Sequence, residues 1–190
     1  MKLLYSLLFI LFLFGQGVFG ATYTVINTYD SGPGSLRQAL LDANSNPGKD
    51  NVDFAIPGTA PYVITLSSAL PAITEQVTIN GYSEPGAYPA TASYPAKILV
   101  EVNFNGYTGF EFTFTTGTSD ISGLSIVNAS GAGIYLNNCG VTNVTGNYIG
   151  ITPAGAAAGN ANGIRISGAD NCVIGGSVGN KIGRAHVRSP

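Results

Sequence analysis

The chain has 190 residues, of which only 9% are charged, and its formal net charge is −2. A chain with so few cations has no electrostatic means of holding phosphate backbones or anionic lipids, so we expect no nucleic acid or peripheral membrane partner. Aromatic residues make up 10% and β-branched residues are abundant, which excludes general disorder and indicates one elongated folded domain.

The N-terminus predicts an export signal over residues 1–20. Lys2 is followed by an apolar run that ends at Gly15, and then by small residues that favour cleavage between Gly20 and Ala21. The alternative is a membrane anchor, but an anchor needs roughly 20 apolar residues, and this run is shorter. We therefore expect a protein that is secreted or displayed at the cell surface, with no membrane insertion after cleavage.

A strand and a helix are predicted at the start of the mature chain. Residues 21–28 alternate apolar and polar side chains, as a strand does. Ser35 and Gln38 are spaced so that each side chain can satisfy the other's free backbone N–H group at a helix start. Pro47 and Gly48 are expected to end this helix. Its apolar face comprises Leu36, Ala39, Leu40 and Ala43.

A repeated phrase dominates the second half of the chain. Residues 138–150 and 171–183, which are 33 positions apart, both fit N-C-x6-G-N-x-I-G. A related phrase, residues 116–126, lies 23 positions before the first copy. Such spacings, with β-rich units and glycines at the corners, are typical of a solenoid of stacked coils. The sequence therefore predicts an all-β solenoid over residues 21–183, with the helix covering its open N-terminal end.

Three units, beginning at Gly109, Gly133 and Gly163, each place two apolar residues around one variable residue. Because side chains alternate across a strand, the apolar residues should point inward and the variable residues should form one outer column, with steps of about 4.8 Å. The predicted inward residues are Phe110, Phe112, Ile134, Leu136, Ile164 and Ile166. The predicted outer column is Glu111, Tyr135 and Arg165.

This outer column is the candidate ligand-binding site. A sugar could stack on Tyr135 while the planar guanidinium of Arg165 binds a carboxylate through two hydrogen bonds. Glu111 and Arg165 are two steps apart, about 10 Å, so no direct pairing between them is expected. The alternative interpretation is an ordinary solvated face.

The sequence shows no cluster of carboxylates of the kind that calcium or a two-acid glycosidase requires. We therefore predict no catalytic residue, no metal site and no cofactor in this segment.

If the coils follow the repeated phrase, Cys139 and Cys172 share a column at disulfide distance. A rival register, which matches Gly146 to Gly175, separates them by about 13 Å. A disulfide and buried free thiols thus stay open as alternatives.

Other polar residues are interpreted as structural. Asn147 and Asn180 fall in one column, where stacked side chains can bond along the stack. Asp120 and Asp170 are expected to bond backbone groups in turns. The low-complexity segment 152–162 lengthens the spacing between units from 24 to 30 residues, which indicates a protruding loop.

The chain resembles the exported bacterial right-handed parallel β-helix repeat proteins of pectin-lyase-like architecture. The matching segments are residues 24–48, 70–87 and 146–176. The resemblance implies a right-handed parallel β-helix with a short N-terminal capping helix, on an exported protein that often carries further modules. Adhesion and polysaccharide contact are commonly proposed for such proteins, and related β-helix enzymes use an outward arginine with several acids, which often hold calcium.

From these observations we expect adhesion or glycan contact without catalysis in this segment, with an extracellular polysaccharide or a surface glycan as partner. A polysaccharide lyase or glycoside hydrolase is one alternative, and an architectural spacer within a larger surface protein is another. Acidic side chains near Arg165 would favour the enzyme, exposed aromatic residues would favour glycan binding, and a featureless polar surface would favour the spacer.

The last residues, 184–190, are interpreted as a foreign tail. Residues 182–187 match one reading frame of a common sequencing adapter, although Ile182 and Gly183 still satisfy the repeat. We expect the solenoid to be cut short after Gly183, and we assign no role to His186 or Arg188.

Overall fold

The computed structural model describes residues 19–114 and 116–183, which form fourteen strands and one α-helix, α1 (Leu36–Ser45). Most of the predicted export signal and all of residues 184–190 lie outside the described residues. The strands are β1 (Thr22–Val25), β2 (Asp50–Phe54), β3 (Tyr62–Thr65), β4 (Val77–Asn80), β5 (Val100–Asn103), β6 (Phe110–Phe112), β7 (Thr118–Ser122), β8 (Leu124–Val127), β9 (Ala132–Asn137), β10 (Val141–Thr145), β11 (Tyr148–Ile149), β12 (Asn162–Ser167), β13 (Val173–Ile174) and β14 (Lys181–Ile182).

The strands form three parallel sheets, which confirms the predicted β-rich class. The six-stranded sheet has the order β1-β2-β4-β7-β10-β13, the five-stranded sheet β3-β5-β8-β11-β14, and the three-stranded sheet β6-β9-β12. From β4 onward, the chain contributes one strand to each sheet in turn and then repeats the same order. From β4 onward, consecutive strands in sequence therefore belong to different sheets. Strands that are separated by one such round of three sheets, here called one circuit, pair with each other.

One apolar core receives side chains from all three sheets. The predicted inward residues of β6 and β9 are buried, as alternation along a strand requires. In β12, Ile164 is only half-buried and Ile166 is 48% exposed. The difference arises because β12 pairs on one side only and no further strand of the described chain covers it.

Helix α1 starts at the predicted cap, but only half of the predicted reciprocal pair forms. The hydroxyl of Ser35 accepts a hydrogen bond from the Gln38 N–H at 3.2 Å. The Gln38 side chain instead donates to Asp42 at 2.8 Å, and the Ser35 N–H donates to the Gly32 carbonyl at 3.1 Å. The turn before the helix thus supplies the acceptor for the Ser35 N–H group, which was expected to bind the Gln38 side chain.

The apolar face of α1 is buried as predicted and joins the core beside β1 and β2, the first two strands of the six-stranded sheet. Burial of this face, more than intrinsic propensity, stabilises so short a helix. No helix among residues 19–114 and 116–183 is long and apolar enough to cross a membrane.

An ion pair and its hydrogen bonds hold the start of α1 to the turn after β3. Arg37 pairs with Asp30 at 2.7 Å and donates to the backbone carbonyls of Ser68 and Ala69. Asp30 also accepts hydrogen bonds from the N–H and hydroxyl of Ser67 at 3.0 and 2.7 Å. Burial raises the pKa of Asp30, but the hydrogen bonds from Arg37 and Ser67 outweigh it and hold the pKa below its usual value.

The 23-residue offset predicted between the first two repeats is confirmed in two sheets. In the six-stranded sheet Val144 pairs with Ile121, and in the five-stranded sheet Ile149 pairs with Ile126. The glycine and isoleucine positions of the repeated phrase therefore mark equivalent points on successive circuits.

The 33-residue offset holds in only one sheet. Ile149 pairs with Ile182 in the five-stranded sheet, as expected, but Val144 pairs with Ile174 in the six-stranded sheet, an offset of 30. The three extra residues lie in the turn between β13 and β14, where Gly175 and Gly176 adopt φ of 108° and 102°. Glycine suits this conformation because it has no side chain to clash.

The predicted shared column of Cys139 and Cys172 is therefore wrong, and so is the rival register. Cys172 precedes the residue that pairs with Asn143, so it lies beside Thr142, whose N–H group contacts its sulfur at 3.4 Å. In this register β13 extends the six-stranded sheet, and the glycine turn that follows accommodates the three extra residues.

The stacked asparagines lie as predicted. The side-chain oxygen of Asn180 accepts the Asn147 N–H at 3.0 Å. Asn147 is fully buried, and its side chain accepts the Leu124 N–H at 3.1 Å and donates to the Ile121 carbonyl at 2.9 Å. The amide group thus supplies partners to backbone groups that turn away from the sheets at this corner.

The turn role predicted for Asp120 is wrong. Asp120 lies inside β7, where its carboxylate accepts hydrogen bonds from Lys49 at 2.6 Å and Asn143 at 2.8 Å. Burial raises the pKa of Asp120, but the hydrogen bonds from Lys49 and Asn143 hold it below the usual value. These polar side chains tie neighbouring strands of the six-stranded sheet together across its outer face.

The low-complexity segment forms an exposed turn with an anchored end. The Thr152 N–H donates to the Ala156 carbonyl at 2.9 Å, and the tip between them is exposed. Asn160 is buried, accepts the Ala129 N–H at 2.8 Å and donates to the Ile126 carbonyl at 2.9 Å. The loop therefore protrudes, as predicted, but one amide side chain fixes its return to β12.

Candidate functional site

The three-stranded sheet brings the predicted outer column together. Glu111 pairs in register with Tyr135, and Tyr135 pairs with Arg165. Glu111 and Tyr135 are half-buried, whereas Arg165 is exposed. The geometry of the column expected from the sequence is therefore present.

These side chains line a cavity of about 270 Å³, here called the arginine cleft. The guanidinium carbon of Arg165 lies 4.8 Å from the centre of the Tyr135 ring, which is a cation–π contact. One face of the ring is thus covered by Arg165, so a sugar cannot stack on that face without displacing the guanidinium. The residues of the arginine cleft are Thr108, Gly109, Glu111, Gly131, Ala132, Tyr135, Asn162 and Arg165.

Within the arginine cleft, Glu111 and Arg165 have different partners. Glu111 accepts a hydrogen bond from the Asn137 amide at 2.9 Å. Among residues 19–114 and 116–183, no ion pair joins Glu111 to Arg165, and no side chain or carbonyl accepts a hydrogen bond from Arg165. The guanidinium keeps its donors directed to solvent, where a carboxylate can accept two of them.

A glycine lets the start of β6 approach β9 closely beside the arginine cleft. A Cβ atom on Gly109 would collide with the carbonyl oxygens of Ala132 and Gly133. This contact explains why a unit of this kind begins with glycine.

The acids of the described chain do not converge on Arg165. Glu111 is the only carboxylate in the lining of the arginine cleft, considering the residues that the structure describes. Burial raises the pKa of Glu101, but Glu101 belongs to β5 of the five-stranded sheet and not to this cleft. Nor do three His, Cys, Asp or Glu side chains of the described residues come together as metal ligands.

Two further clefts are here called the tyrosine clefts. The first lies where β1 and β2 leave the six-stranded sheet, and the second lies beside it, between the segment before β3, the segment before β5 and the loop after β11. The first has a volume of about 440 Å³ and the second about 620 Å³, and both share the wall formed by Thr59, Pro61 and Tyr62. Tyr29 lies in the first and Pro153 in the second. Their sizes fall in the usual range of small-molecule sites, roughly 300–1,000 Å³.

The tyrosine clefts have an almost uncharged lining with exposed rings. Tyr29 is 70% exposed, although its backbone N–H is held by the Asn27 side chain at 3.1 Å. The Tyr62 hydroxyl donates to the Gly58 carbonyl at 3.1 Å, which fixes the ring at the shared wall. Of the described residues that line either cleft, only Lys97 is charged, and it faces the Tyr88 ring.

Sequence reasoning missed the tyrosine clefts. The walls of the first come from the turn after β1 and the turn before β3, which are some 30 positions apart, and those of the second also include Pro85 and Pro153. No repeat links these segments. The sequence offered one signal, a tyrosine beside each Pro- and Gly-rich turn. A tyrosine in a surface turn lies away from the apolar core, so its ring can line a surface cleft.

The two cysteines are free thiols in the structure. Both sulfurs contact Thr142, since Cys139 lies 3.6 Å from its hydroxyl and Cys172 accepts its N–H. Burial raises the pKa of the Cys139 thiol, which makes it less reactive at neutral pH. A disulfide between them stays a prediction for the exported protein.

Comparison of the chain with protein-family models found no match, and comparison with curated proteins found none either.

Proposed function

We propose that the chain is an exported right-handed parallel β-helix module that contacts glycans without catalysing a reaction. The regular order in which the chain visits three parallel sheets supports a β-helix. Crossovers between parallel strands are right-handed in about 98% of proteins, which supports the handedness. The position of α1 against the first two strands supports its role as the N-terminal cap.

Export of this module accords with its sequence and surface. The apolar N-terminal segment predicts a signal, and a chain with only 9% charged residues suits an extracellular protein with a polar, weakly charged surface. The proposed location is secreted or cell-surface, as for the exported β-helix repeat proteins of pectin-lyase-like architecture that the chain resembles. The proposed partner is an extracellular polysaccharide or a surface glycan.

The observation that carries glycan contact is the Arg165 guanidinium, which lies in a cleft on the three-stranded sheet without an acidic ion-pair partner among the described residues. A guanidinium in this position binds the carboxylate of an acidic sugar, while Asn162 and Thr108 offer polar groups to its hydroxyls. The exposed tyrosines add surface on which sugars stack. A lyase or hydrolase is less well supported, because its acids would have to converge near Arg165 and those of the described residues do not. A bare spacer is also less well supported, because the surface bears the arginine and tyrosine clefts.

Replacing Arg165 by alanine is expected to weaken binding of an acidic oligosaccharide, such as trigalacturonate, about tenfold or more. A charge-assisted bidentate contact is worth about 1.5–3 kcal/mol, and this contact is lost in the variant. Isothermal titration calorimetry measures the affinity. Arg165→Lys should restore little of it, because an ammonium group lacks the planar fork.

Lys181→Ala is the matched control for Arg165→Ala. Lys181 also covers a tyrosine ring, that of Tyr148, at 5.2 Å, but it lies in the five-stranded sheet and outside the arginine cleft. Its removal should leave trigalacturonate binding unchanged. Equal losses in the two variants would show only a nonspecific effect of charge and would overturn the assignment of the site.

Replacing Tyr29 by alanine is expected to weaken binding of a neutral oligosaccharide, such as cellohexaose, about three- to tenfold. The estimate follows from about 0.5–1.5 kcal/mol for an aromatic stacking contact. Amide chemical shifts in NMR titrations measure the affinity and should change at Thr59 and Tyr62. Tyr94→Ala is the control, because Tyr94 is 67% exposed but lies outside both tyrosine clefts. Unchanged affinity in the Tyr29 variant would exclude the first tyrosine cleft as the binding site.

A further inference from the structure

Asp50 carries a carboxylate that is buried but only half satisfied. The residue begins β2 and is fully buried. Its Oδ1 accepts the Ala21 N–H at 2.6 Å and the Asn46 amide at 2.8 Å. Its Oδ2 is buried and has no hydrogen-bond partner among the described residues. Buried carboxylates are normally paired with a charge or fully hydrogen-bonded, so this group lacks a partner.

No cation of the described residues fills this role. The two ion pairs found there join Arg37 to Asp30 and Lys49 to Asp120. Lys49 is adjacent to Asp50 in sequence, yet its ammonium group bonds the outer face of the six-stranded sheet. The nearest donor to Asp50 is therefore the Ala21 backbone nitrogen, which in the unprocessed chain is a neutral amide.

Ala21 is also the first residue after the predicted cleavage position. Hydrolysis of the Gly20–Ala21 bond by a signal peptidase consumes one water molecule and leaves a carboxylate on Gly20 and an ammonium group on Ala21. The ammonium group arises 2.6 Å from Oδ1 and has three N–H donors where the amide has one. The Ala21 carbonyl accepts the Asn51 N–H at 2.8 Å, so the new terminus stays beside β2.

We propose that Asp50 is the receptor for the N-terminal ammonium group of the processed protein. Cleavage supplies the positive charge and the donors that the buried carboxylate lacks, and it thereby stabilises β1 against β2. Gly20 agrees with this proposal, because a Cβ atom there would collide with the Lys49 carbonyl oxygen. In the unprocessed chain, residue 20 must therefore be glycine to lie beside the Lys49 carbonyl. In the processed chain residue 20 is absent, and this restriction no longer applies.

The proposal rests on the proposed export of the protein and uses no residue of the arginine or tyrosine clefts. The first test is mass spectrometry of the exported protein, which should begin at Ala21; a different first residue would overturn the inference without affecting glycan contact.

A double-mutant cycle then measures the coupling. The unfolding free energy is determined for the processed protein and the unprocessed full chain, each with Asp50 and with the Asp50→Asn substitution, which keeps the shape of the side chain but removes its charge. The cycle cancels general effects of the leader on stability. We expect processing to increase the folding equilibrium constant at least tenfold more with Asp50 in place than in the Asp50→Asn variant. A coupling below twofold would overturn the proposal.

If Asp50→Asn does not fold, acylation of the terminus provides the second measurement. The Ala21 α-amino group of the folded processed protein should react with an acylating reagent at least tenfold more slowly than that of the urea-unfolded protein. Equal rates would mean that the ammonium group is free in solution, and the proposal would fail.

Discussion

Replacing Asn147 by alanine should lower the free energy of unfolding by about 3–5 kcal/mol, because it leaves buried backbone groups without partners. The side chain bonds the Leu124 N–H and the Ile121 carbonyl, and its own N–H is held by Asn180. Since the site is closed to solvent, water cannot readily replace these bonds. Urea unfolding followed by circular dichroism measures the loss.

Asn143→Ala is the matched control for Asn147→Ala. Asn143 is half-buried on the outer face of β10, and its amide makes one hydrogen bond to Asp120. Water can replace that bond, so we expect a loss below about 1 kcal/mol. Similar losses in the two variants would contradict the role assigned to the buried amide.

Replacing Phe112 by alanine should cost about 3–5 kcal/mol, the usual range for a large buried aromatic side chain. Phe112 is fully buried in β6, pairs in register with Leu136, and its ring lies 6.4 Å from that of Phe114. The cavity left behind is enclosed by three sheets that cannot easily collapse into it. Thermal and urea unfolding of the variant measure the effect.

The control is Ile166→Ala, at the equivalent inward position of β12. Because Ile166 is 48% exposed, its truncation should cost less than about 1 kcal/mol. A loss as large as that of Phe112→Ala would contradict the link drawn between burial and stability along this column.

Local patterns in the sequence were sufficient to predict the strands and the outer column. Alternation around Phe110 and Ile134 identified which side chains point inward, and the glycine before β6 marked where that strand approaches β9. The cap of α1 was also predictable, because Ser35 contacts a residue only three positions away. All of these features depend on short segments, in which neighbours in sequence determine the conformation.

The register between β10 and β13 was not predictable from the repeated phrase. Matching Cys139 to Cys172 assumes that residues of the same type occupy the same place, whereas strand pairing depends on which residues extend the sheet. Two consecutive glycines, Gly175 and Gly176, accommodate the difference in the following turn. The repeated phrase therefore predicted the pairing of β14 with β11 correctly and that of β13 with β10 incorrectly.

Contacts between distant segments account for the remaining differences. The first tyrosine cleft is lined by both Tyr29 and Tyr62, and the buried carboxylate of Asp50 contacts Ala21; each feature joins segments about 30 residues apart. Asp120 was assigned to a turn because aspartate favours turns, yet a cation from another circuit, Lys49, stabilises it within a strand. Contacts between residues one circuit or more apart in sequence could therefore not be predicted from the local sequence pattern.

The anchored loop between β11 and β12 has a consequence for how such a chain can change. Its tip is exposed, and Asn160 returns the chain to a fixed point whatever the length of the loop. Peptides grafted between Pro153 and Ala157 would lengthen the circuit without altering which residues face each other in the sheets. The corner is thus a natural place for insertions to accumulate, and for an epitope or a second binding segment to be displayed.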